Sequence, residues 1–328
     1  MRLSTSDKAL FFRQLAIMLK ASIPLVTAFA SLKTQFVHGK LNRLLGVMQS
    51  NILQGKSLQQ AMSNFPQDFS PFILGMVDAG EKGGDLPQIF DKLAQVEEDR
   101  KEFQGKLSAE LAYPLLVLLL SVFILPLPLL FSPGKGADLY VHSLIGALIP
   151  LAILILILIL GHHYLMPNQT FAYAWQTFWI HVPLVGGLIK EQSLMVFFQT
   201  FGYLYSAGVS NLEAFRLASA AQSNWWLKGQ LDRALPAIKQ GTSFSDSLKP
   251  ISGLLPATAR SLLIAGEASG NLPEMMLKCA QLLQLDIETK SKILFKLASV
   301  LIFIGIGAFV GIKVIGYYQN LFKTIFSL

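Results

Sequence analysis

The eight residues Gly80-Glu81-Lys82-Gly83-Gly84-Asp85-Leu86-Pro87 return near the far end of the chain as Gly266-Glu267-Ala268-Ser269-Gly270-Asn271-Leu272-Pro273, 186 residues later. The same offset carries Phe11, Phe12 and Ala21 onto Phe197, Phe198 and Ala207, Ala28-Phe29 onto Ala214-Phe215, and Gln54-Gly55 with Ser57 onto Gln240-Gly241 with Ser243. A register kept without insertion over such a span is the mark of an internal repeat, and two copies of a long unit make two homologous domains rather than a solenoid. Within each octet a Gly suits the left-handed conformation that ends a helix, and Gly266 is read as needing it. Asp85 or Asn271 offers an N-cap oxygen, Pro87 or Pro273 sits in the first turn, and Gln88 or Glu274 follows at capping-box spacing. Each octet is therefore expected to be a tight helix–turn–helix corner.

Helical spacing runs through the first copy, as in Phe11, Leu15, Met18 and Leu19, then Leu25, Ala28, Phe29 and Leu32, with Ser22-Ile23-Pro24 breaking the two apart. Further helices are expected over 41–53, from Ser57, over 72–79 and onward from Asp85, with no competing strand pattern. The fold expected is all-α: two homologous six-helix bundles, over 1–110 and 166–296 with a core of 191–296, joined to transmembrane helices.

Composition requires the membrane part. The chain of 328 residues is 52% hydrophobic and only 14% charged, with a mean hydropathy of +0.50, which no ordinary soluble chain shows. No charge falls between Glu110 and Lys135, and a first span is expected over 111–131, kinked by Pro114, Pro126 and Pro128. A short outer loop over 132–142 leads to a second span over 143–165. Tyr164, Trp175 and Trp179 suit an aromatic belt at the membrane surface. The third span, 297–318, precedes a tail over 319–328. In it Lys313 can snorkel, and Gly307 and Gly311 form a small-xxx-small surface for helix packing.

Thirteen Lys or Arg lie in residues 1–110 and eleven in 164–296, against Lys135 alone in the loop between the first two spans. The positive-inside rule then places both bundles in the cytoplasm and the loop and C-terminus outside. The first residues lack the apolar core of a signal peptide, so the N-terminus is expected to stay inside. The net charge of +7 is explained by this bias without direct nucleic-acid binding. A lone Cys279 allows no internal disulfide and fits a reducing compartment.

Chemistry is sparse. Gln54-Gly55-Lys56-Ser57 resembles the end of a phosphate-binding loop, but Ser50 stands where the motif needs Gly and Thr242 replaces Lys56 in the second copy. His162-His163 has no carboxylate or Cys nearby in sequence and reads as interfacial rather than metal-binding. No nucleophile–base set appears, so no enzyme and no cofactor are expected. Glu81 and Glu267 are the only acidic residues in equivalent places in both corners. They either cap local backbone amides or present a carboxylate to a partner or a shared cation. Gly80, Glu81, Gly84, Leu86, Pro87, Gly266, Glu267, Gly270, Leu272 and Pro273 are the candidate partner-contact residues.

Two helical bundles, each with a Gly-Glu-x-x-Gly-x-Leu corner, an Ala-Ser-Ile or Ala-Gly-Val turn after a Phe-Phe helix, a Gln-Gly-x-Ser start and a following membrane helix, resemble the type II secretion system F family. That family includes the PilC-type platform proteins of type IV pili and competence pseudopili. The resemblance implies a multi-pass platform in the cytoplasmic (inner) membrane that does not hydrolyse ATP itself. The partners it implies are a cytoplasmic hexameric assembly ATPase, pilin or pseudopilin subunits, other inner-membrane assembly proteins and further copies of the chain. Tyr113-Pro114 matches the family at the first membrane boundary, whereas Ser299-Val300 lacks the Pro usual in the second copy. With the short N-terminal lead, this is similar to the competence branch and leaves secretion, pilus and DNA uptake open. A small membrane transporter built from repeats is the competing class. It is disfavoured because the repeat lies in the polar bundles and the spans hold almost no ionisable group.

Overall fold

The computed structural model describes residues 3–36, 39–124, 126–131, 136–161 and 169–326, and among them every regular element is helical. In chain order these are α1 (Thr5–Lys20), α2 (Leu25–Gln35), α3 (Lys40–Leu53), α4 (Leu58–Ser63), α5 (Pro71–Gly83), α6 (Leu86–Ile124), α7 (Gly136–Leu160) and α8 (Gln169–His181). They continue as α9 (Val185–Ser206), α10 (Asn211–Ala220), α11 (Trp225–Asp232), α12 (Leu235–Lys239), α13 (Phe244–Ser247), α14 (Ala257–Ala268) and α15 (Leu272–Phe326). Short 3-10 helices occupy Leu127–Phe131 and Lys249–Leu254. The chain divides into two compact units. One comprises residues 1–105 and 175–287 and holds both repeats; the other comprises 106–174 and 288–328.

In the first unit the helix starts follow side-chain chemistry. Ser4, Ser57, Ser70, Ser210, Asn224 and Ser243 each accept a hydrogen bond from the amide three residues on, satisfying a donor with no intrahelical partner. The helix ends are equally local. Ser22 and Gly208, equivalent in the two repeats, both take positive φ, 61° and 85°. The next amides, of Ile23 and Val209, then reach back to Met18 O at 3.0 Å and Leu204 O at 3.1 Å. That six-to-one bond closes a helix C-terminus.

The repeats differ where proline intervenes. α3 is one helix of 14 residues, but its counterpart is broken into α11 and α12, with Pro236 in the first turn of α12. A proline inside the longer helix would lose a hydrogen bond and strike the preceding turn. The second repeat therefore departs from a strict six-helix plan.

Each repeat fills its core with buried phenylalanine. Phe11 and Phe29 stack with centroids 6.4 Å apart, and their equivalents Phe197 and Phe215 meet edge-on at 5.2 Å. Phe12, Phe69 and Phe90 complete one core, Phe198, Phe201 and Phe244 the other, all under 3% exposed. The repeats join through α5, which packs on α9 and α10. A Cβ on Gly75 would lie 2.6 Å from Leu217 Cδ1 and 3.1 Å from Leu204 Cδ2, so the missing side chain is what permits the approach. Phe72 and Tyr203 meet at the same contact, 6.4 Å between centroids.

The second unit contains the C-terminal lengths of α6 and α15, α7 and the start of α8. Charged side chains link α6 and α15 through Lys106–Glu288 at 3.4 Å and Lys292–Glu110 at 3.8 Å. Beyond them the surface is apolar, with Leu115, Leu119, Ile153, Ile157, Leu301 and Phe303 all more than half exposed. Among the described residues one helix, Leu86–Ile124, is long and apolar enough to cross a membrane, with a mean hydropathy of 2.1 in its apolar window. Pro114 lies inside this helix. Gly307 and Gly311 sit within α15 with nothing against the position a Cβ would take. Residues 132–135 of the expected outer loop, His162, His163, Tyr164 and Ser327 lie outside the described residues.

Candidate functional site

The two corners are built alike, and each draws on a second motif to its N-terminal side. Glu81, near the end of α5, turns its carboxylate to the start of α4: Oε1 accepts from Leu58 N at 2.5 Å and Oε2 from Gln59 N at 2.9 Å. Ser57 Oγ takes the next amide, Gln60 N, at 3.1 Å, and Gln60 Oε1 answers at Ser57 N, 3.2 Å. The free donors of the first turn are thus held by one carboxylate and one hydroxyl. In the second repeat Glu267 accepts from Phe244 N, and from Ser245 N at 3.0 Å, while Ser243 Oγ accepts from Asp246 N at 3.1 Å. Hydrogen bonds to an ionised acceptor are worth about 1.5–3 kcal/mol each.

The corner follows the sequence reading at one cap: Asp85 Oδ1 accepts from Gln88 N at 3.3 Å. In the other copy the Asn271 side chain engages Glu274 instead, Nδ2 donating to Oε2. Gly84 and Gly270 take φ of 76° and 70°. Gly266 does not: α14 continues to Ala268, and Gly266 is an interior helical residue. It is small because α15 crosses there, where a Cβ would lie 2.7 Å from Met275 Cβ. Gly80 plays the same part, with Ile89 Cγ1 at 2.7 Å and Leu86 Cδ2 at 3.2 Å from its Cβ position. The left-handed residue lies four positions further on than Gly266, because the preceding helix runs through the Gly-Glu pair.

Leu272 is buried and Pro273 half-buried, with Pro273 O 3.1 Å from the Cβ position of Gly202 on α9. Leu86 and Pro87 are half-buried at the equivalent place. What remains open at the tips is Lys82, Gly83, Gly84 and Asp85 in one copy and Ala268, Ser269, Gly270 and Asn271 in the other. The phosphate-loop look-alike is used locally, since Lys56 Nζ donates to Asn51 Oδ1 at 2.9 Å and Ser57 is the cap just described. Among the described residues no three or more of His, Cys, Asp and Glu stand together as a metal site. Sequence reasoning found Glu81 and Glu267 but not the amides they hold. The repeated Gln-Gly-x-Ser, 24 to 27 residues before each Glu, was the signal that could have joined them.

Comparison with known proteins falls on the same duplication. The type II secretion system protein F family matches this chain twice, over residues 11–132 and again over 197–319. The chain belongs to that family. Among secretion F relatives, the Type II secretion system protein F of Pseudomonas aeruginosa is 26% identical over 327 residues, covering 94% of this chain and 80% of the relative. The Type IV pilus assembly protein PilC of Thermus thermophilus is 27% identical over 339 residues, covering 98% and 83%. PilC of Pseudomonas aeruginosa is 23% identical over 335 residues, covering 97% and 89%. The two matches begin on core helices, at Phe11 in α1 and Phe197 in α9, 186 residues apart, so the family unit repeats with the same offset as the structural repeat and runs on into the apolar stretch that follows each copy.

Proposed function

We propose that this chain is a polytopic platform protein of the cytoplasmic membrane, serving a secretion pseudopilus, a type IV pilus or a competence pseudopilus. It couples an assembly ATPase to pilin-like subunits and is not itself an enzyme. The observation that carries this reading is the coincidence of the doubled family match with the doubled Glu–amide clamp. Three spans, over 111–131, 143–165 and 297–318, with both repeats inside and the 132–142 loop and C-terminus outside, account for the skew of basic residues. The exposed apolar flanks of α6, α7 and α15 need lipid or protein cover of this kind.

The unit that holds the repeats is large enough to offer a soluble partner an interface of ordinary size, about 800 Å² a side. The corner tips are the parts of the duplicated motif left open for it. Because the glutamates are engaged in the fold, their reversal would confound contact with stability. Lys82→Glu and Ala268→Arg change the tips without touching a cap, and both together should weaken co-purification of the full chain with the assembly ATPase. Normal recovery of the ATPase with both changes would move the contact elsewhere on the bundles. Recovery of no ATPase by the unaltered chain would sink the platform reading. Topology is checked separately: a membrane-impermeant thiol label should reach Ser132→Cys or Ser327→Cys in intact cells and not Ser57→Cys or Ser243→Cys.

A further inference from the structure

The corner between α8 and α9 gathers every tryptophan of the chain. The four Trp are residues 175, 179, 225 and 226. Trp175, Phe178 and Trp179 form one aromatic cluster, with centroids 5.8 to 6.4 Å apart. Gln176 binds the start of α11 to it, accepting from Trp225 N at 2.7 Å and donating to Ser223 O at 3.2 Å. Lys228 Nζ then stands 5.7 Å from the Trp225 ring centroid and Lys190 Nζ 5.9 Å from that of Trp226.

Next to this cluster the backbone departs from its ordinary range. Leu184 has φ 68° and ψ −52°, and Val185 N donates across it to Pro183 O at 2.8 Å. This is the disfavoured hand of the three-residue turn, and a side-chain-bearing residue there costs about 1–3 kcal/mol. The turn is held by its surroundings, since a Cβ on Gly186 would lie 2.0 Å from Ile180 O. The leucine so held is not in the core: it is 61% exposed, as is Phe178, with Trp175 and Trp225 at 38%. A strained backbone that presents a leucine outward beside exposed indoles stabilises nothing within the fold.

Charge argues for what covers this surface. No Asp, Glu, Lys or Arg occurs between Asp138 and Lys190, a stretch that takes in α7 beyond its first turn and all of α8. A soluble protein partner would normally meet a polar rim. An uncharged stretch ending in Trp, Leu and then Lys instead grades from hydrocarbon to headgroup, where indoles and snorkelling ammonium groups are both well solvated. We propose that Trp175, Phe178, Leu184 and Trp225, with Lys228 at their edge, lie in the headgroup layer of a phospholipid bilayer, so that the repeat-bearing unit rests on the membrane independently of the spans. This rests on the reading that the chain is embedded in a membrane.

Because all the tryptophan lies here, its fluorescence reports this surface alone. The full chain is reconstituted into vesicles of phosphatidylcholine and phosphatidylglycerol brominated either near the glycerol end or near the methyl end of the acyl chain. The expected result is strong quenching by the shallow bromines and weak quenching by the deep ones. Leu184→Asp should halve the shallow quenching. Leu184→Gly, which relaxes the turn and so keeps the fold, should lose part of it too. A chain that floats with the vesicles but is quenched by neither lipid overturns the proposal and leaves the platform reading intact. So does tryptophan that leaves water only when a soluble protein is added. A chain that does not float with the vesicles overturns both.

Discussion

Ser22 and Gly208 show how single residues carry the repeat's geometry with different ease. Both sit at positive φ in the same turn, but only glycine does so without steric cost. Ser22→Gly should therefore stabilise the purified chain by about 1 kcal/mol and Gly208→Ala should destabilise it by a similar amount, read as opposite shifts of the unfolding midpoint. Glu97 is another residue where the copies disagree. It is 4% exposed where the second repeat has Leu283 at 2%, and among the described residues its Oε2 accepts no hydrogen bond. Burial pushes its carboxyl above the ordinary value, with Lys8 and then Arg100 opposing. A raised folded pKa leaves the fold unpenalised below the ordinary glutamate value of about 4.3 and weakens it as pH rises through the folded value. Glu97→Leu should thus stabilise the chain at neutral pH by about 1–3 kcal/mol, with a gain that shrinks on acidification. A gain independent of pH would mean that Glu97 is not buried as an acid.

At the scale of elements the clamp and the crossing are separable. Glu81→Gln keeps the shape of the side chain but loses its charge and one of its two acceptor oxygens. It should release about 1–3 kcal/mol of local stability, seen as faster amide exchange at residues 58–60 with little change at 244–246. Glu267→Gln should do the converse. Gly266→Val acts on helix crossing instead, because its branched Cβ would meet Met275. Overpacking of this kind costs about 1–3 kcal/mol, so unfolding of the full chain at an unchanged temperature would show that α14 and α15 do not meet as closely as described. Much of this was legible in sequence: the cap at Asp85, the break at Ser22 and the helical period of the cores. The placement of Gly266 was not, because whether a glycine ends a helix or lies within it depends on where the helix stops. Glu81 supplies the reason it continues, by giving the end of α5 a partner on α4.

Across the whole molecule, duplication has not produced a symmetric pair. α5 of the first repeat packs on α9 and α10 of the second through Gly75, Leu204 and Leu217. The equivalents in the reciprocal contact would be Ser261, Met18 and Ser31, a set that has neither the glycine nor either leucine. Gly75→Leu should therefore part the repeats and leave their cores folded. Protease cleavage should rise around residues 72–79 and 201–205, while the buried amides of α1 and α10 stay protected from exchange. Equal loss of protection throughout would show that the repeats fold only as one body.

The sequence by itself determined the all-α class, the two copies, their register and the apolar stretches that follow them. Helical periodicity, capping residues and a constant offset are local or translational signals, readable without any long-range contact. Tertiary structure decided what the repeated acidic residues are for, since Glu81 and Glu267 acquire their role only when a carboxylate meets amides 22 and 23 residues away in the chain. It also decided that the repeats meet through unlike faces and that four scattered tryptophans share one surface. Such pairings rest on close approach between segments that no periodicity relates, so packing alone selects them.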